Sequence, residues 1–200
     1  MSPIDKASRK LTQILRHKIV YYNLIMNDEG YVKVTDIYRL KLNDLKNINN
    51  NDINQIVETN EKKRFELKII NEELFIRATQ GHHTNVGQFI NDSKSLTKIT
   101  LSDNIESNIF IYHGTKKEYL NSIIKYGLNR MNRKHIHFVE NINKDKQTSG
   151  FKNASDIILK IDMKLCIEDG IIFYKSSNNV ILTEGINGLI SSKYIIEIIE

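Results

Sequence analysis

Apolar positions recur at helical spacing from the start of the chain. In "PIDKASRKLTQILRHK" the residues Ile4, Leu11, Ile14 and Leu15 form one stripe, which predicts an amphipathic helix with Arg16 and His17 just off its buried side. "VTDIYRLKL" predicts a second, short helix with Thr35 as N-cap, and "NDINQIVETN" a third with Ile53, Ile56 and Val57 inward. The period then falls to two. Phe65, Leu67 and Ile69 alternate with Arg64, Glu66 and Lys68, "NEE" makes a turn, and "LFIRAT" returns as a second strand. Three helices and a hairpin are the order of a winged helix, a fold common among nucleic-acid binders, although order alone does not establish binding.

Residues 86–107 are polar and without a clear period, and "NDSKSLTK" reads as a linker. Beyond it the pattern is β-rich: "NIFIYHGT" ends a strand in Gly-Thr, "KKEYLNSIIKYGL" is a helix stopped by Gly127, and "HIHFVE" alternates again. A polar loop, "NINKDKQTSGFKNAS", precedes "DIILKID", a helical "MKLCIEDG", and the strands "IIFYKSS", "NVILTEG" and "KYIIEIIE". The expected class is α+β, with a winged-helix-like lobe over 1–90 and a mostly antiparallel β lobe over 105–200. A polar loop of that length belongs to function or to disorder.

Composition narrows the function classes. No run approaches the roughly 18 apolar residues of a membrane span, and "MSPIDKASRK" lacks the apolar core of a secretory signal, so the expected location is the cytoplasm. The one cysteine, Cys166, excludes an internal disulfide and a thiolate metal cluster, and its apolar setting predicts an inert packed residue. Net charge is +5, with most of the excess in the first half, which favours a polyanionic partner. No coiled-coil heptads are present, so a monomer is expected.

Candidate chemistry lies in separated basic segments. Arg16 and His17, about 100° apart on a helix, would bracket an anion. Arg64 follows two lysines at the mouth of the hairpin, where a solvated edge guard is the alternative. "YHGT" (112–115) sits where a strand meets a helix; its glycine admits a ligand to the backbone and its threonine donates to a phosphate or caps the helix. "GLNRMNRKHIHF" adds three cations and places His135 and His137 on one face of a strand. No nearby Cys, Asp or Glu completes a zinc set, so no metal is expected. Arginine's planar fork suits phosphate, and spacing alone leads to a phosphate or nucleic-acid handler.

Read together, "LTQILRHK", "DEGYVKVTDI", "KKRFEL", "IRATQGHH", "IYHGT", "SIIKYGLNRMNRKHIHF", "SDIILKID", "DGIIFYKSSNNVILTEG" and "GLISSKYI" resemble, in order and over nearly the whole chain, the RNA 2′-phosphotransferase family. These are the NAD-dependent enzymes that remove a splice-junction 2′-phosphate from RNA, as in tRNA splicing. The resemblance implies a winged-helix-like first lobe and a second lobe of the ADP-ribosyltransferase kind. It implies NAD⁺ as co-substrate, 2′-phosphorylated RNA as partner, and RNA 2′-hydroxyl, nicotinamide and ADP-ribose 1″,2″-cyclic phosphate as products. The family's essential Arg-His-Arg-Arg set maps onto Arg16, His17, Arg64 and Arg133. His17 would be the general acid or base at the RNA 2′-oxygen, a role suited to imidazole's unperturbed pKa of about 6.5. His113, Gly114 and Thr115 correspond to the NAD-cradling segment, His137 to the second signature histidine, and Ser176, Ser177 and Asn178 to later strand-end contacts.

Some positions depart from the family pattern. Ile19 stands where proline is usual, Tyr31 where tryptophan is, and His83 where serine is common. Lys152 stands where the family tends to carry an arginine at the cofactor, keeping the charge and losing the fork. Two other readings stay open: transfer of ADP-ribose onto a terminal phosphate of RNA or DNA, and a non-catalytic winged-helix nucleic-acid binder. A pure binder has no need of His17 together with three distant arginines.

Overall fold

In this computed structural model, which describes residues 2–101, 109–142 and 155–200, the first helix begins at a reciprocal cap. Ser2 Oγ accepts from Asp5 N–H (3.1 Å) and Ser2 N–H donates to the Asp5 carboxylate (3.1 Å) at the head of α1 (Pro3–Gln13), where Pro3 has no N–H to leave unsatisfied. A strand β1 (Val32–Lys33), helices α2 (Val34–Arg39) and α3 (Asn50–Glu58), and strands β2 (Phe65–Ile70) and β3 (Glu73–Ala78) follow. α3 repeats the same device, with Asn49 Oδ1 accepting from Asn51 and Asp52 N–H and Asp52 answering to Asn49 N–H. Thr35 does not cap α2. Lys33 holds that position without a side-chain bond, because β1 runs directly into the helix and its backbone sets the entry.

Two compact units make up the chain, Met1–Ser95 and Leu96–Glu200. In the first, β1, β3 and β2 form one antiparallel sheet in that order. Leu11, Ile14, Leu15, Val32, Ile37, Ile53, Ile56, Phe65 and Ile76 share its core, each contributing about 1.5–3 kcal/mol by burial. Ile69 was expected inward with Phe65 and Leu67, yet it is 74% exposed. It lies beside the Asn71–Glu72 turn, where both residues take positive φ and the hairpin runs past the helices that cover its base. Two short helices, α4 (Thr84–Gly87) and α5 (Asp92–Ser95), end the unit.

The second unit opens with β4 (Thr97–Ile99), in a stretch expected to be linker; it is an edge strand of three mostly exposed residues, too short to carry a period. β5 (Phe110–Thr115), α6 (Leu120–Tyr126), β6 (Leu128–Asn129), β7 (Ile136–Phe138), β8 (Ile157–Asp162), α7 (Met163–Glu168), β9 (Phe173–Lys175), β10 (Ile181–Thr183), β11 (Leu189–Ile190) and β12 (Ile195–Ile199) complete the described elements. They form sheets of order β4-β9-β10-β7, β12-β8-β5 and β11-β6. Every described pairing is antiparallel, so the class is α+β. The two larger sheets are stitched where Tyr112 and Val139 exchange backbone hydrogen bonds of 2.9 and 3.0 Å.

Cys166 is fully buried on α7. Burial first, then the carboxylates of Asp162 and Asp169, pushes its thiol up to about 12. At about pH 8 roughly one thiol in ten thousand is then ionised. Native protein is therefore expected to resist iodoacetamide at that pH and to react once unfolded in denaturant; rapid alkylation of the native chain would contradict the buried setting.

Candidate active site

Arg16 and His17 do not continue α1 as an α-helix. The turn Ile14–Lys18 that carries them is a π-helix, in which hydrogen bonds close over five residues rather than four. The wider turn narrows the angle between successive side chains below the α-helical value of about 100°, which corrects the expected geometry. Ile14 and Leu15 beneath it and Ile19 beyond it are buried, so the apolar stripe anchors the turn from both ends. Arg16 is half-buried and His17 exposed.

The segment Thr79–His83, between β3 and α4, ties this turn to Arg64. Thr79 N–H donates to the Arg64 carbonyl (2.9 Å), and His83 N–H donates to the Arg16 carbonyl (2.9 Å). Between them Gly81 takes φ +86° with its Cα so close to the Arg16 guanidinium that a Cβ there would lie 3.0 Å from Cζ. The His83 ring meets the His17 ring edge-on, with centroids 6.2 Å apart. Thr79, Gln80 and His82 are buried. The segment Thr79–His83 is thus bonded through the backbone to Arg64 at one end and to Arg16 at the other, with the Arg16 guanidinium at Gly81 and the His17 ring at His83.

Arg64 precedes β2. Its N–H donates to Asn60 Oδ1 (3.1 Å), its Nη1 lies 3.5 Å from the same oxygen, and among the described residues no carboxylate pairs with it. Arg77, the other arginine of the hairpin, is committed to structure. Its Nε donates to Glu66 (2.7 Å), its Nη1 to the Glu29 carbonyl (2.9 Å), and its guanidinium lies 4.8 Å from the Tyr31 ring centroid.

In the second unit, His113 and His137 meet. His113 Nδ1 lies 2.8 Å from the His137 carbonyl, which only accepts, so Nδ1 carries the proton and, in the neutral ring, Nε2 is left as an acceptor. The same ring packs edge-on against Phe138 at 5.7 Å. Gly114 and Thr115 continue β5 opposite Ile158 and Ile157. His135 and His137 flank Ile136 and are both 5% exposed. Arg133 is exposed at the end of a turn in which its N–H donates to the Arg130 carbonyl (3.1 Å); among the described residues its guanidinium makes no ion pair. Ser176 is spent on the turn between β9 and β10, donating to Asn178 Oδ1 (2.7 Å) and accepting from Val180 N–H (3.1 Å), while Ser177 is exposed. Lys152 lies outside the described residues, as do 143–154 of the polar loop.

No structural role for Thr79–His82 or Asn60 is visible in the sequence, and Arg130 is visible there only as one of three cations in its segment. A glycine directly after a strand that ends in "RATQG" was the available signal for the first, since a positive φ there lets backbone approach a side chain.

A sequence model described as RNA 2′-phosphotransferase, Tpt1/KptA family, matches residues 2–185. The chain is 38% identical to a putative tRNA 2′-phosphotransferase of Schizosaccharomyces pombe over 94% of its own length and 49% of that protein's, so it spans about half of that relative. It is 32% identical to tRNA 2′-phosphotransferase 1 of Danio rerio, covering 90% of this chain and 78% of that one. A probable RNA 2′-phosphotransferase of Pectobacterium atrosepticum is 31% identical, covering 90% and 92%.

Proposed function

Since the chain belongs to the RNA 2′-phosphotransferase, Tpt1/KptA family, we propose that it removes an internal 2′-phosphate from RNA by transfer to the ADP-ribose of NAD⁺. The observation that supports the reading is that Thr79–His83 bonds the backbones of Arg64 and Arg16 and meets the Arg16 guanidinium and the His17 ring. The element order helix, strand, helix, helix, hairpin in the first unit supports a winged-helix-like lobe over 1–90. The antiparallel sheets of the second support an ADP-ribosyltransferase-like lobe over 105–200. In this reading the enzyme is a cytoplasmic monomer; among the described residues no helix is long and apolar enough to cross a membrane.

In this reaction class the RNA 2′-phosphate displaces nicotinamide from NAD⁺, and the ribose 2″-hydroxyl then displaces the RNA 2′-oxygen from phosphorus. The residues fit a polyanionic co-substrate, because Arg64 and Arg133 are not neutralised by carboxylates among the described residues. Arg16 and Arg64 hold the RNA phosphate, offsetting its repulsion from the pyrophosphate. The correspondence with the family assigns Arg133, in the second unit, to the charge that builds in the second step. His17 gives a proton to the departing RNA 2′-oxygen, and the proton released by the attacking 2″-hydroxyl restores the imidazolium. His113, Gly114, Thr115, His137 and Asn178 are assigned to NAD⁺, with Ser176 shaping the turn that carries Asn178 and Lys152 assigned by its place in the sequence alone.

The test is incubation with NAD⁺ and an RNA bearing an internal 2′-phosphate. Dephosphorylated RNA and ADP-ribose 1″,2″-cyclic phosphate are expected. Stable ADP-ribose caps on terminal phosphates without cyclic product would indicate the transferase alternative, and tight RNA binding without NAD⁺ consumption a binder. Folded protein giving no product from this substrate overturns the proposal.

A further inference from the structure

Arg133 is an exposed side chain at the tip of a turn, and its direction depends on what fixes that turn. The turn starts from β6, which pairs with β11 through Leu189 and Asn129. Asn129 Oδ1 accepts from Met131 N–H (2.6 Å), and Met131 takes φ +55°, a conformation that costs a non-glycine residue unless its surroundings hold it. Arg130 N–H donates to the Gly188 carbonyl (3.0 Å), and its own carbonyl accepts from Arg133 N–H. The Arg130 side chain then lies over Gly188, where a Cβ would stand 2.9 Å from Nε, and its Nη1 returns to the Arg133 carbonyl at 2.7 Å.

We propose that Arg130 is a positioning residue for Arg133. Its guanidinium clamps the backbone of the 130–133 turn, bonding the carbonyl of the residue whose side chain it aims, with Gly188 as the floor that lets it lie flat. A short charge-assisted bond to a carbonyl is well suited to this, because it fixes Arg133's backbone without competing for Arg133's own fork. Charge alone does not explain the arrangement. Arg130 carries no carboxylate partner among the described residues, and what its Nη1 meets is a main-chain oxygen. The role rests on the reading of Arg133 as a phosphate-binding arginine of the phosphotransferase, although the clamp itself is independent of activity.

Two measurements test it. With NAD⁺ and 2′-phosphorylated RNA, Arg130→Ala is expected to lower kcat by up to about 100-fold, the scale of a roughly 1 Å misplacement, with KM nearly unchanged. Arg130→Lys, which keeps the charge and loses the fork, should recover only part of this. Arg133→Lys keeps the charge and loses the fork, so part of the turnover is expected to remain, and in that background Arg130→Ala should add little, because the clamp has lost the group it aims. Full additivity in that background, or unchanged kcat, overturns the positioning role. Amide hydrogen exchange is the second readout. Arg130→Ala should speed exchange across 131–134 several-fold; unaltered protection there overturns the clamp whatever the protein catalyses. Absence of wild-type turnover, by contrast, counts against the phosphotransferase reading and leaves the exchange result to decide the clamp.

Discussion

Arg64→Ala lowers kcat by about 100–1,000-fold, the usual loss when one preorganised donor to a developing oxyanion is removed, while the melting temperature stays near that of the wild type. The two effects separate because Arg64 serves the fold through its backbone. Its carbonyl accepts from Thr79 N–H and its N–H donates to Asn60 Oδ1, and both bonds survive truncation of the side chain. The guanidinium itself has only a 3.5 Å approach to Asn60 Oδ1 and, among the described residues, no ion pair. Arg64→Lys should recover part of the rate, since charge returns without the two-oxygen fork. The check is kcat for wild type and both variants on 2′-phosphorylated RNA, with circular dichroism melts alongside. Full activity in Arg64→Ala would remove this residue from the site.

Gly81→Ala is expected to cost activity far more than stability. At φ +86° an alanine is strained by about 1–2 kcal/mol, which for a chain of this size corresponds to a fall in melting temperature of roughly 2–8 °C. The added Cβ meets Arg16 Cζ, Nη1 and Nε at 3.0, 3.1 and 3.2 Å. Those atoms are the far end of a flexible side chain and give way at little cost to the fold. They are also the atoms assigned to the phosphate. A displacement of about 1 Å there should lower kcat by about 100-fold. Single-turnover rates and thermal melts of the variant decide it; a protein that loses several kcal/mol of stability and keeps its rate would show Gly81 to be a packing glycine.

Much of the architecture was legible because burial imposes a period. Leu11, Ile14 and Leu15 mark α1 and its extension, and the alternation from Phe65 marks the hairpin. Ile69 and β4 escaped for the same reason in reverse: where an element projects past its cover or has a single inward residue, the pattern no longer reports burial. The π winding of Ile14–Lys18 was not legible either, since buried residues at 14, 15 and 19 satisfy an α-helix equally well. The candidate site residues were named from their chemistry and from the resemblance. Their supports, Thr79–His83 and Arg130, act through carbonyls and close approaches that depend on tertiary placement and leave only a glycine in the sequence.

The π turn also sets where Arg16 and His17 point. A helix that accommodates one residue more than its regular pitch behaves as if a residue had been inserted into it. Deleting one position from Ile14–Lys18 would let the rod close with ordinary pitch from Pro3 onward, a sounder helix by every local measure. It would also turn Arg16 and His17 away from the Gly81 loop. An α-helical Ile14–Lys18 is therefore expected to be the sounder helix and to separate Arg16 from Gly81, so the π winding ties the poorer local structure to the direction of that side chain.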